Sequence, residues 1–428
     1  MMTRMFTGAT GRVFMLLCLM YFIMYIDRVN ISVAAPIIQH EMQITNTQLG
    51  FTLSAFGVCY AFLQIVNGYL GDRFGPRKVL SILGIFWSLG TLATALVSGF
   101  YSLVFARVLV GLGEAGTIPT ATRAMSNWVP RACRGFAQGF THTAARLAAA
   151  VTPALIVVMI PVIGWRGAFA LLGGISLLWA IVWYLYFRDD PREHGGVAPQ
   201  ALAELPLFEA AKERPAVPWR NLIPRVAPVT MVFFCHAWTL WLYLSWLPSF
   251  FVGEYHIDIK SSALFTSGVF AAGMIGDTVG GLLTDWIYQR TGNINAARRN
   301  TVILGFLGSF AFMSLVFFTR DPVQIALCLA ASLFFLEMTE GPVWAVPMDI
   351  APRYSGVAGA FISTAAGLAA VLSPAAFGFV ADLTGSFLPP FLMSLGFLAL
   401  GVVLAFFMRP DIPVVESSAI DKIAEIAA

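Results

Sequence analysis

Apolar positions in this chain gather in long unbroken runs, not in the alternating or 3.6-residue rhythms of an element half-exposed to water. Runs of about twenty apolar residues, the length that carries a helix across a bilayer, lie near residues 12–35, 48–70, 79–99, 101–125, 134–158, 165–187, 228–252, 263–286, 301–319, 323–348, 355–381 and 388–408. These twelve runs predict an all-α membrane protein of twelve transmembrane helices. They fall six and six around a polar interruption holding Arg188, Asp189, Asp190, Arg192, Glu193, Lys212, Glu213 and Arg214. The expected organisation is an N-terminal six-helix half over 1–187, a cytoplasmic linker over 188–227, a C-terminal six-helix half over 228–410 and a cytoplasmic tail over 411–428.

Composition narrows the class. With 58% hydrophobic and 11% charged residues in 428, an ordinary soluble domain is excluded. Arg73, Arg77, Lys78, Arg131, Arg134, Arg290, Arg298, Arg299 and Arg353 lie at one set of run ends, against Arg166, Lys260 and Arg320 at the other. By the positive-inside rule both termini are expected in the cytoplasm. A cleaved signal peptide is not expected, because eleven more runs follow the first. The sole N-x-S/T sequence, Asn30-Ile31-Ser32, is inside a run, so a multi-pass protein of the bacterial inner membrane is the expected setting. A net charge of +3 spread over short loops offers no nucleic-acid surface. The five cysteines show no ligand spacing and read as packing residues. No metal or cofactor is expected, and the chain reads as a monomer.

A repeat joins the halves. After the second run stands GYLGDRFGPRKVL and after the eighth GLLTDWIYQRTGNINAARR, each a G-x-x-x-D followed by basic residues. With the six-plus-six layout and the linker, this duplicated motif resembles the major facilitator superfamily over nearly the whole chain. The resemblance implies alternating access by rocking of two halves about a central site. Asp72, Arg73 and Asp285 then become candidate gating residues, the carboxylates acting as breakable latches at helix ends, and Glu340 is placed with them by its depth in the tenth run.

Charges inside the runs carry the chemistry, since one at a helix centre costs about 2.5–3.5 kcal/mol on insertion scales. They are Asp27 and Arg28 in MYIDRVNIS, Arg107 and Glu114 in FARVLVGLGEAG, His142 and Arg146 in THTAARLAAA, and His236, Asp277, Glu337 and Glu340 in the second half. At about 1.5 Å per residue, Asp27 and Arg28 lie roughly 22 Å into the first run, a layer that Arg107 and Glu114 of the oppositely directed fourth run overlap. Arg107 and Glu114, two turns apart, share one helix face about 10 Å apart along the axis. Adjacent Asp27 and Arg28 point about 100° apart, so each needs a partner on another helix. Guanidinium forks at Arg28, Arg107 and Arg146 suit a carboxylate. Buried carboxylates at Asp27 and Glu114 suit proton uptake and release. Static ion pairs that only hold helices together are the structural alternative.

The same stretches, with SAFGVCYAFLQIVNGYLGDR, SNWVPRACRG and VWAVPMDIAP, resemble the anion:cation symporter family, whose members include hexuronate, galactonate, glucarate, tartrate and phthalate permeases. The resemblance implies proton handling at Asp27 and Glu114 and substrate contacts at Arg28, Arg107, Tyr25, Tyr60 and Trp344. Two positions depart from the sugar-acid pattern: Ala145-Arg146 replaces a fifth-helix glutamine, and Ser363 or Thr364 an eleventh-helix asparagine. A cavity with only Gln64 and Asn67 as amides satisfies few hydroxyls, each costing about 1–3 kcal/mol if buried unpaired. A dicarboxylate or aromatic carboxylate is therefore favoured over a sugar acid, with Arg146 and His142 reaching its second group and His236 contributing from the seventh helix. The expected function is proton-coupled symport importing a small organic anion, with the proton as coupling ion. A proton-independent facilitator or exchanger and a transporter-like sensor stay open. No Ser/His/Asp set or HExxH stretch points to an enzyme.

Overall fold

A long apolar run in lipid must satisfy its own backbone groups, and the helix does so residue by residue. A computed structural model of the chain, describing residues 8–129, 134–197, 202, 205, 218–351 and 355–414, is all-helical accordingly. The helices are α1 (Gly8–Met42), α2 (Asn46–Phe74), α3 (Pro76–Thr94), α4 (Phe100–Glu114), α5 (Thr117–Trp128), α6 (Arg134–Tyr186), α7 (Trp219–Tyr255), α8 (Ile259–Thr291), α9 (Thr301–Leu315), α10 (Pro322–Glu337), α11 (Glu340–Ile350), α12 (Ser355–Thr384) and α13 (Pro389–Ala405). Among the described residues, eight helical stretches are long and apolar enough to cross a membrane.

Local sequence sets the ends. Thr45 caps α2 in a reciprocal box with Gln48, each side chain accepting from the other's backbone N–H. Pro76 opens α3, where its missing N–H costs nothing. Asp189 accepts from the Arg77 N–H of that first turn at 2.9 Å. Burial pushes the Asp189 carboxyl above its ordinary range, and the Arg77 amide offsets only part of this.

The expected boundary between the fifth and sixth runs is present: two helices meet without a loop at Gly164, whose φ of 68° is non-helical, and only the width of the expected gap at 159–164 shrinks. Two sequence expectations change. The fourth and tenth runs, each expected as one span, are each broken into two helices, at 115–116 and at 338–339. The side chain of Asp72, together with Arg131 and Arg353, lies outside the described residues, as do 198–201, 203–204 and 206–217 of the expected linker and 415–428 of the expected tail.

The chain forms two compact units: residues 1–212, 244–267 and 370–387 in the first, and 213–243, 268–369 and 388–428 in the second. Within the first, α6 packs on α3 through a ladder of rings, with Trp87–Trp179 centroids 5.4 Å apart, Trp179–Trp183 5.7 Å and Trp183–Phe187 4.1 Å, and Trp179 donates to the Leu16 carbonyl of α1 at 2.9 Å. Asp382 of α12 accepts from the Asn46 and Thr47 N–H groups at 3.1 and 2.6 Å, capping the start of α2.

Candidate functional site

The first unit collects four buried charges from two helices. Asp27, Arg28, Arg107 and Glu114 are between 0 and 6% exposed. Arg28 of α1 donates from Nε at 3.0 Å and from Nη2 at 2.6 Å to one oxygen, Oε2 of Glu114. The other oxygen, Oε1, is buried with no hydrogen-bond partner among the described residues. Asp27 turns to α6: its Oδ2 is 2.6 Å from the Ser176 hydroxyl, and the Asn30 amide reaches its Oδ1 at 3.4 Å.

The sequence reading grouped Arg28 with Arg107 and Asp27 with Glu114 by role; the contact made in the structure is between Arg28 and Glu114. Adjacent side chains on a helix do diverge, and the divergence sends Arg28, not Asp27, to Glu114. Among the described residues Arg107 makes no ion pair and its buried Nε has no hydrogen-bond partner; its guanidinium stands 5.2 Å from the centroid of Phe56. Arg28 is ringed by Tyr25, Phe56 and Tyr60 at 4.8, 5.2 and 4.9 Å, a cation–π cage that holds it while leaving its remaining N–H groups directional.

Backbone shape puts these groups together. Gly111 lets α4 press on the α2 backbone at Phe56, where a Cβ would come within 2.6 Å of the Phe56 carbonyl. Glu114 is the last residue of α4; the chain then passes through Gly116, at φ 84°, before α5 begins. A left-handed residue ends the helix at little cost only when it is glycine. Asn67, expected as a possible cavity amide, instead donates to the Ala115 carbonyl freed by the break. His142 is exposed and lies edge-on to Tyr21 with centroids 5.6 Å apart, while Arg146 is half-buried.

In the second unit, His236 of α7 is fully buried. Its Nδ1 is 3.0 Å from the Thr339 hydroxyl and its Nε2 3.1 Å from Glu340 Oε2. Trp344 Nε1–H donates to Glu340 Oε1 at 3.1 Å. Glu340, assigned from sequence to gating, thus sits with the substrate candidates His236 and Trp344. Asp285 is exposed and 3.4 Å from Arg298, which also pairs with Asp349 at 3.0 Å. Arg73 is exposed, 3.4 Å from the Tyr69 hydroxyl. Ser363 is half-buried on α12.

Sequence reasoning missed Phe56 and Ser176. Phe56 stands four residues before Tyr60, the spacing that stacks two rings on one helix face, here 5.4 Å apart. That spacing was a usable signal. Ser176 had none, being one serine in an apolar run.

A family model described as Major Facilitator Superfamily matches residues 17–374. A probable sulfoacetate transporter of Cupriavidus necator is 45% identical over 399 residues, covering 92% of each chain. A hexuronate transporter of Bacillus subtilis is 31% identical over 403 residues, covering 91% of this chain and 92% of that one. Among solved structures, a bacterial homologue of the human lysosomal transporter Spinster, in an inward-facing and unoccupied conformation, aligns with a TM-score of 0.76 at 19% identity over 94% of this chain and 97% of its own. Buried charges on two helices, a broken fourth helix, and matches that span the chain agree with one another: the protein belongs to the major facilitator superfamily of membrane transporters.

Proposed function

We propose that the protein is a proton-coupled symporter that imports a small organic dianion of the sulfonated-carboxylate kind across the bacterial inner membrane, with twelve spans and both termini cytoplasmic. The observation that carries this reading is Arg107, a buried guanidinium with an unused donor, beside an Arg28 already committed to Glu114. A buried guanidinium fork recognises carboxylate and sulfonate oxygens well. The 45% identity to a probable sulfoacetate transporter supports a substrate with two anionic groups and no hydroxyls, in keeping with the few amides near the site.

The coupling follows from charge bookkeeping. Asp27 and Glu114 balance Arg28 and Arg107, so the site is neutral without substrate. A proton taken by Glu114, whose Oε1 has no partner, weakens its hold on Arg28. Arg28 and Arg107 then both become available to the anion. Proton and anion therefore favour each other's binding, and Asp27, held by Ser176, supplies a second protonatable group. Arg146 and His142 are proposed to meet the anion's second charged end as the access state changes, with Tyr25, Tyr60, His236, Trp344 and Ser363 as further contacts, and Asp72, Arg73 and Asp285 as gate residues.

The test has two arms. Purified protein is screened against organic acids by thermal shift, where a ligand at a hundredfold excess over its Kd stabilises by about 2.7 kcal/mol. Sulfoacetate is expected to stabilise most; equal or greater stabilisation by galactonate or glucuronate refutes the substrate class. Proteoliposomes then report uptake under an inwardly directed proton gradient. Glu114→Gln is expected to abolish that uptake and keep counterflow exchange, and gradient-driven uptake that survives the substitution refutes the coupling.

A further inference from the structure

Asp27 of α1 stands between two groups that can each give or take a hydrogen bond. Its Oδ2 is 2.6 Å from the Ser176 hydroxyl of α6, and its Oδ1 is 3.4 Å from the Asn30 amide nitrogen. The same Ser176 hydroxyl is 3.0 Å from the Leu172 carbonyl, one turn back on α6. We propose that Ser176 is the positioning residue for the Asp27 proton: its hydroxyl donates to the charged carboxylate and accepts from the protonated one, turning its own hydrogen to Leu172.

The deduction is a count of hydrogens. A hydroxyl has one hydrogen and two lone pairs, whereas a carboxylate and a carbonyl only accept. When Asp27 is charged, the Ser176 hydrogen goes to Oδ2, and 2.6 Å is the usual length of a hydroxyl bond to a carboxylate. The Leu172 carbonyl is not orphaned in that state, because inside a helix it also accepts the backbone N–H four residues on. When Asp27 is protonated on Oδ2, the new hydrogen points to Ser176 Oγ, and the Ser176 hydrogen swings to Leu172. Every hydrogen has an acceptor in both states, by rotation about one side-chain bond. Asp27 is 1% exposed and Ser176 fully buried, so bulk water is not at hand to fill either role.

Asn30 serves the other oxygen less well. Its contact is long, and an amide must turn over to change from donor to acceptor. The charges facing Asp27 are Arg107 and Glu114 of α4. Tyr60 of α2 lies against Arg28 and His142 of α6 against Tyr21, with Arg146 one turn beyond His142, while Arg166 of α6 pairs with Glu41. Residues 72–73 of α2, 77–78 of α3 and 123 of α5 carry their charges toward helix ends. Ser176 is thus the near group, itself without charge, that suits both forms of the carboxyl.

This deepens the proton-coupled reading and rests on Asp27 as one of its proton carriers. The test follows the Asp27 carboxyl by infrared difference spectroscopy of the full chain in lipid across pH, with Asp27→Asn identifying its C=O band. A hydrogen bond to the charged form is about twice as strong as one to the neutral form, so Ser176→Ala is expected to raise the midpoint of the Asp27 titration by about one pH unit. Ser176→Thr keeps the hydroxyl and should restore the midpoint, and Asn30→Ala should move it less than Ser176→Ala does. The pH of half-maximal uptake should move with the midpoint, a shift that a serine serving only packing would not produce. A midpoint unmoved or lowered in folded Ser176→Ala overturns the role of Ser176 and leaves the coupling reading standing. A larger shift from Asn30→Ala overturns it in favour of the Oδ1 side. An Asp27 band that does not titrate in the unaltered protein overturns Asp27 as a proton carrier, and this inference with it.

Discussion

The two units place a basic side chain against a glutamate at a broken helix, and the chemistry of the base separates them. In the first, Arg28 of α1 meets Glu114 at the end of α4. In the second, His236 of α7 meets Glu340 at the start of α11. A guanidinium does not lose its proton, so any change of charge in the first pair falls on the glutamate. An imidazole and a carboxylate exchange one proton between them. In the first pair a change of charge can fall on one partner alone, and in the second on either. The breaks differ as well. Gly116 takes a left-handed conformation, whereas Thr339 keeps a right-handed helical φ of −83° and hydrogen-bonds with its hydroxyl.

The sharpest way to break the comparison is to remove the base that cannot deprotonate. Arg28→Ala leaves Glu114 buried without its charge partner and is expected to destabilise by about 3–5 kcal/mol, measured by thermal unfolding in detergent. Arg28→Met combined with Glu114→Leu should recover most of that stability and transport nothing. If the double substitution transports, the pair is structural only.

Arg107→Lys keeps the charge and loses the fork. Folding should be retained while uptake in proteoliposomes falls about tenfold or more, the loss of about 1.5–3 kcal/mol expected for a charged hydrogen bond to the anion. Glu340→Gln should lower gradient-driven uptake by less than Glu114→Gln does, because it leaves the Arg28–Glu114 pair and Arg107 intact; a larger loss would reverse the roles assigned to the two units.

The smallest effect lies outside the spans. Burial raises the Asp189 carboxyl above its ordinary range, so the folded state favours its protonated form, and stability from this group is lost as pH rises through the raised value. Asp189→Asn removes the titration. Its thermal stability relative to the unaltered protein should be higher above neutrality than in mild acid, and a difference independent of pH would show that Asp189 does not titrate in this way.

Much of the fold was legible in the runs themselves, because lipid leaves a continuous apolar segment no alternative to a helix. The buried charges were legible too: acids and bases in such runs are rare enough to mark a site without knowledge of the fold. The pairing was not. Depth placed Asp27, Arg28, Arg107 and Glu114 in one layer, yet rotation about each helix axis decides who meets whom, and rotation is set by close approaches such as Gly111 on Phe56. The helix breaks also escaped the hydropathy pattern, since the residues at 115–116 and 338–339 are short or apolar and leave the run unbroken in composition.

The sequence alone therefore determined an all-helical membrane chain, and which ionisable residues lie within it, because both follow from the cost of moving polar groups into lipid. Only the tertiary structure decided that Glu114 belongs to Arg28, that Arg107 keeps an unused donor, and that His236 meets Thr339 and Glu340. Those outcomes depend on distances of about 3 Å between side chains far apart in the chain, a scale at which helix packing, not composition, selects the partner.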